Sequence, residues 1–217
     1  MLIWADMRAQ LRRHWPRRFF TLQRGPPTMV NRAQKSAQAS GAAAEATVEA
    51  INAYYHRCGS AWVVKRPTPV RVIGGGRGGH FKGVWSSPAG VDFTGIMRGG
   101  RGVAFDCKAS GSASIPLEPR AGVPCLRPSQ VAELTAVANL GGLAGVLALV
   151  RPRDRGRPIP TWFWISWSGW QLATGAAATA GRKSIGLDLL RAHGLECSRH
   201  YDRPLWMEAA MALEASA

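Results

Sequence analysis

Residues 91–110, VDFTGIMRGGRGVAFDCKAS, alternate apolar and polar side chains in two runs, 91–97 and 103–109, on either side of Arg98-Gly99-Gly100-Arg101-Gly102. Alternation at period two predicts a pair of strands. The glycines between them supply the positive φ that a tight hairpin turn needs. Strand side chains point to opposite faces in turn, so Val103, Phe105 and Cys107 share one face and Asp106 and Lys108 the other. On the first strand Val91 and Phe93 share a face and Asp92 takes the opposite one. A turn centred on Gly99 sets Asp92 directly across from Asp106. Two carboxylates and a lysine then converge on a polar face backed by an apolar one.

The rest of the chain reads as alternating helices and strands. Residues 41–59 carry Ala44, Val48, Ile51 and Tyr55 at helical spacing, with Gly59 as a C-terminal stop. Residues 61–73 read as a strand interrupted at Pro67 and Pro69, hence an edge or a bend. Residues 74–90 hold seven glycines together with Arg77, His80, Phe81, Lys82 and Trp85. No Walker pattern occurs in that segment. A glycine-rich loop with cations and aromatics can follow a nucleic-acid backbone and press a ring against an unstacked base. It also has the composition of an ordinary surface loop. Residues 110–128 read as loop, and 129–140 as a helix opened by Pro128, with Gln130 in its first turn. Residues 143–150 form a continuous apolar strand, 151–160 a basic turn and 161–166 a further strand. Trp162, Phe163, Trp164, Trp167 and Trp170 crowd this region and are expected in the core. Arg182 and Lys183 precede a helix expected over 184–193, a natural phosphate position. Residues 204–217 form a terminal helix with Leu205, Ala209 and Leu213 along one side. This order predicts a single α/β domain built on a mixed sheet.

Charge narrows the function. The 217 residues contain 28 Lys and Arg against 13 Asp and Glu, a net charge of +15, which favours a polyanionic partner, nucleic acid before membrane. Eight of the basic residues and one acid fall within 1–40, with Trp15, Phe19 and Phe20 among them. Such an arm grips phosphates without sequence preference and is expected to be flexible. An organelle-targeting helix has the same composition, and Met29 is an alternative start. Cys58, Cys107, Cys125 and Cys197 form no CxxC pair and are expected as free thiols of a reducing cytosol. His193, Cys197 and His200 have the spacing of one helical face but lack a fourth zinc ligand. The longest apolar run, 140–150, is too short to cross a bilayer, so no membrane partner is expected.

The D-x13-D-x-K arrangement of Asp92, Asp106 and Lys108 suits phosphodiester hydrolysis. Two close carboxylates repel each other unless a cation sits between them. Hard oxygen ligands favour Mg²⁺, with Mn²⁺ as a substitute. Lys108 can orient a water or stabilise charge in the transition state. The same short pattern also describes a solvated hairpin face with an Asp106–Lys108 pair. One acid from the 41–59 helix, Glu45 or Glu49, could complete the site.

Further segments give the chain a family resemblance. Gly41 and Glu45, Asn52-x-Tyr54-Tyr55, Lys65-Arg66-Pro67-Thr68-Pro69-Val70, His80-Phe81-Lys82, Asp92-Phe93-x-Gly95-Ile96, Phe105-Asp106-Cys107-Lys108, Gln130 and Gly181-Arg182-Lys183-Ser184-Ile185 follow in an order and spacing that resembles the RecU family of Holliday-junction resolvases. The resemblance implies a restriction-endonuclease-like core and a homodimer that makes paired incisions in branched DNA with Mg²⁺. It implies catalytic positions at Glu45, Asp92, Asp106, Lys108 and Gln130, of which Glu45, Asp92 and Asp106 hold metal. It also implies that a stalk, here about 74–90, protrudes into the junction centre. DNA contacts are then expected from Lys65, Arg66, Arg71, Arg77, Phe81, Lys82, Arg182 and Lys183. The implied layout is an arm at 1–40, a nuclease domain at 41–200 and a C-terminal helix at 201–217, in a cytoplasmic protein whose arm could meet a recombinase. Three positions depart from the family pattern. Asp106 stands where Glu is common, Cys107 where alanine is usual, and the serine run before Asp92 is stretched to 86–91. Two other functions fit the same residues: a nuclease of the same superfamily acting on linear duplex, and a non-catalytic DNA-binding accessory protein of recombination.

Overall fold

The structure, a computed structural model, describes residues 32–67, 70–75, 81–85, 90–119 and 122–216, with side chains at 39–67, 90–119 and 122–216. In chain order, helix α1 (Arg32–Arg57) leads into β1 (Ala61–Lys65), β2 (Val70–Gly75), β3 (Phe81–Trp85), β4 (Phe93–Met97), β5 (Gly102–Ala109) and β6 (Ile115–Pro116). Helix α2 (Pro128–Asn139) follows, then β7 (Leu143–Val150), β8 (Arg153–Asp154), β9 (Arg157–Pro158) and β10 (Thr161–Ser166). The chain continues through α3 (Trp167–Thr179), β11 (Ser184–Ile185), α4 (Leu187–His193), β12 (Leu195–Glu196), β13 (Arg199–His200), β14 (Arg203–Pro204) and α5 (Trp206–Ala215).

The central sheet has the order β1-β4-β5-β7-β10-β12, with β5 and β7 parallel and the other neighbours antiparallel. The mixed sheet flanked by helices is the α/β class expected from the sequence. Helix α2 makes the crossover between the parallel strands, which cannot be joined by a tight turn. The β4–β5 hairpin pairs Phe93 with Phe105 and Gly95 with Val103, the register expected for a turn centred on Gly99. Gly99 and Gly100 have φ of 90° and 89°, which is why the tip requires glycine.

Both faces of the sheet are covered. Helices α1 and α5 pack Ala44, Val48, Ile51, Tyr55 and Trp206 against Phe93, Phe105, Leu147 and Trp164. Helices α2, α3 and α4 pack Leu134, Trp170 and Leu190 against Ala104, Val146, Phe163 and Ile165. Strand β7 is buried along its whole length, as its unbroken apolar sequence requires. The face carrying Asp106 is therefore not polar throughout. It is an apolar face with one polar end, because α2 shields what alternation alone leaves open.

Other differences follow from tertiary packing. Helix α1 begins at Arg32, inside the segment expected to be a flexible arm. The aromatic run continues past β10 as α3, with Trp167 and Trp170 buried on one helical side. The helix expected from 184 starts at Leu187, since Ser184 and Ile185 pair with β6. His193 ends α4 while Cys197 follows β12 and His200 lies in β13, so the three do not share a helix face. Part of the glycine-rich segment forms a β2–β3 hairpin, in a second compact unit with its own two-stranded sheet. Residues 1–31, Arg77, His80 and 86–89 lie outside the described residues. Among the described residues no helix is long and apolar enough to cross a membrane.

The C-terminal helix is anchored by Trp206. Its indole nitrogen donates to buried Asn52 Oδ1 at 2.9 Å, and its ring lies against Trp164, Phe105 and Tyr55. Trp206→Ala is expected to destabilise the fold by about 3–5 kcal/mol, read from denaturant melts. A loss below about 1 kcal/mol would mean that α5 is dispensable for the core.

Candidate active site

The site lies where the C-terminal part of β5 meets the entry to β4 and the first turn of α2. Asp106 is fully buried on β5. Its Oδ1 accepts a hydrogen bond from Gln130 Nε2 at 2.5 Å, and its Oδ2 stands 2.8 Å from Lys108 Nζ. That Oδ2 has an ion pair but no hydrogen bond of good geometry. The β4–β5 register ends at Phe93 and Phe105, so Asp92 lies just ahead of β4, beside the part of β5 that carries Asp106 and close enough to act on its charge. The Asp92 carboxylate reaches the neighbouring strand, where Oδ2 accepts from the Cys107 N–H at 2.9 Å.

Gln130 links three segments. Its carbonyl oxygen accepts from the Arg127 N–H at 2.9 Å, satisfying a donor at the helix start. Its amide donates to Asp106 and, at 3.3 Å, to the Gly90 carbonyl. Helix α2 thereby ties the buried carboxylate to the loop that carries Asp92.

Burial pushes the Asp106 carboxyl up to about 7, with Asp92 and Glu45 adding to the rise and Lys108 opposing it. The Asp92 carboxyl is also raised, chiefly by burial, against the Cys107 N–H and Lys108. Lys108 is held above its usual value by Asp106 and Asp92 despite burial that pulls it down. Carboxylates that resist ionising together call for a cation between them. Among the described residues no group of three His, Cys, Asp or Glu is arranged to hold a metal ion. What the fold prepares is an aspartate pair with a lysine, not a closed cage.

Glu45 on α1 is near enough to add to the rise of both aspartates. Its carboxylate lies 2.9 Å from Lys65 Nζ, which also reaches Glu49 at 3.2 Å. Arg66 pairs with Glu133 of α2. Lys65 and Arg66, two of the cations expected on DNA, thus both hold helices to the end of β1. Arg182 pairs with Asp188 at 2.6 Å, and Lys183 is exposed. Arg71 and Lys82 lie on β2 and β3, and Phe81 opens β3.

Two neighbours were not anticipated. Cys125 is raised to about 11, mainly by burial, and stands in the field of Lys108 and Asp106. Glu133 lies three residues after Gln130, the spacing that puts both on one side of α2 and the signal that could have found it.

The family model for RecU, recombination protein U, matches residues 39–208. The chain belongs to the RecU family. All five expected catalytic positions fall inside the matched span, whereas residues 1–38 precede it. Among solved structures the chain is similar to Hjc of Archaeoglobus fulgidus, a Holliday junction resolvase from an archaeal hyperthermophile. That similarity has 15% identity and a TM-score of 0.28, over 55% of this chain and 74% of that one. No curated protein matches the chain significantly.

Proposed function

We propose that this RecU-family chain is a Holliday junction resolvase, a divalent-ion-dependent endonuclease that makes paired incisions in four-way DNA as a homodimer. One observation carries the reading. A fully buried aspartate, its two oxygens met by Gln130 and Lys108, shares the end of a sheet with a second aspartate. Burying such a carboxylate is costly for folding, and a site that binds a cation accounts for the cost.

The residues fit Mg²⁺ or Mn²⁺. Asp92 and Asp106 supply hard oxygen donors, Asp106 Oδ2 is oriented by its partners without being saturated, and Glu45 stands by to act directly or through water. When bound, the ion supplies positive charge at the scissile phosphate and acidifies a nearby water. Gln130 holds the Asp106 carboxylate in one rotamer by engaging Oδ1, which leaves Oδ2 facing the site. Lys108 neutralises Asp106 in the resting protein, and its ammonium is well placed to orient the attacking water or meet the charge that develops on phosphate. The net charge of +15 supports a nucleic-acid substrate. Two isologous copies match two equivalent cuts in a symmetric junction. Binding is assigned to the basic arm, the β2–β3 hairpin and Lys183, in the cytoplasm, with recombinase contact through the arm.

The deciding experiment compares a labelled four-way junction with linear duplex of the same sequence at moderate salt, with Mg²⁺ or with EDTA. Preferential, Mg²⁺-dependent cutting of the junction is expected. Equal cutting of both would move the chain to a linear-duplex nuclease, and binding without cutting to an accessory protein. Removing residues 75–88 is expected to leave the main unit folded and to erase the preference for branched over linear DNA. Competition binding reads this, and an intact preference would take the hairpin out of junction recognition.

A further inference from the structure

We propose that Glu133 is a positioning residue for the nuclease site: its carboxylate, gripped by Arg66, fixes the chain entering β4 and so the place of the Asp92 carboxylate. The inference rests on the nuclease reading above. Its structural basis is a closed ring of contacts. The Arg66 N–H donates to the Asp92 carbonyl at 2.8 Å. The Arg66 guanidinium pairs with Glu133 Oε1. Glu133 Oε2 accepts from the Val91 N–H at 3.1 Å. Gln130, one turn earlier on α2, holds the Gly90 carbonyl and Asp106 together. The backbone on both sides of Asp92 is therefore pinned from β1 and from α2.

Gly90 shows how tightly the carboxylate is packed. A Cβ at that position would overlap Glu133 Oε2 and come within 2.8 Å of an Arg66 guanidinium nitrogen. Val91 and Phe93, on either side of Asp92, are buried, so the segment has little freedom once these bonds form. A buried N–H left without its acceptor reorganises to find another. That movement would shift Asp92, and small misplacements of a catalytic group cost large factors in rate. Glu133 has no part in the chemistry itself. Its role is to keep Asp92 in register with Asp106.

The test uses Glu133→Gln, which keeps an oxygen acceptor, and Glu133→Met, which has similar volume and none. Single-turnover junction cleavage, junction binding without divalent ion, and hydrogen exchange of the Val91 amide in the metal-free protein are measured for each. Glu133→Gln can still accept from the Val91 N–H but loses the ion pair with Arg66, and is expected to cut more slowly than wild type and faster than Glu133→Met. Glu133→Met is expected to cut roughly tenfold to a hundredfold more slowly, with unchanged junction binding and faster exchange at Val91. Equal rates for the two variants, or equal protection of the Val91 amide, would overturn the proposal. Should Glu133→Met not fold, Gly90→Ala is the second variant: it crowds the same carboxylate and is expected to slow cutting, and a wild-type rate would count against the proposal. A wild-type protein that cuts no DNA would refute the nuclease reading, while the exchange comparison still decides whether Glu133 holds the turn.

Discussion

Asp92→Asn is expected to lower junction cleavage by roughly 10³-fold or more while leaving junction binding intact. The substitution keeps the shape of the side chain and an oxygen that can still accept from the Cys107 N–H, so the loop into β4 has no reason to move. What disappears is a negative charge facing Asp106 and Lys108. Phosphate binding depends on cations elsewhere on a surface of net charge +15, and the loss of one anion does not weaken it. Single-turnover cleavage and electrophoretic binding on the same junction separate the two quantities. A variant that cuts at the wild-type rate would remove Asp92 from the mechanism.

The second large effect is in stability against pH. Asp106 titrates at about 7 in the folded chain, against about 4 for an unfolded aspartate. Between those values the native state holds a proton that the unfolded state has lost. Stability of the metal-free protein therefore falls as pH rises through that window and levels off above about pH 7. Asp92 is shifted in the same direction and adds to the trend. Three pH units correspond to an upper bound of about 4 kcal/mol, enough to move the melting temperature by several degrees. A divalent ion binds the ionised form, so its affinity rises with pH and it restores most of the lost stability. Thermal melts at pH 5.5 and 8, with and without Mg²⁺, are expected to show a much larger Mg²⁺ shift at pH 8. In Asp106→Asn both the pH slope and the Mg²⁺ shift should shrink. The same Mg²⁺ shift at the two pH values would mean that the carboxylates do not form the cation site.

Local rules were enough for the hairpin and its pair of acids. Period-two alternation and the glycines at 99 and 100 determine the register that pairs Phe93 with Phe105, which brings Asp92 beside the strand of Asp106, because register follows once the turn is known. The apolar stripe of α1 and the unbroken apolar run of β7 were equally legible, since each reports burial through its own spacing. Gln130 entered only through the family resemblance, because nothing in its own helix marks it as a partner of a residue 24 positions earlier.

Only the tertiary structure decided how these pieces face one another. Alternation shows which side Asp106 points to but not that α2 covers that side and buries it completely, which is what raises its pKa. A run such as Lys65-Arg66 reads as surface charge for DNA, yet both side chains meet acids on helices distant in sequence. Glu133 is an ordinary helix glutamate until the fold sets it on Arg66 and the Val91 amide. The reason is the same in each case: periodicity and turn chemistry are properties of neighbouring residues, whereas desolvation and pairing depend on which distant segments the core draws together.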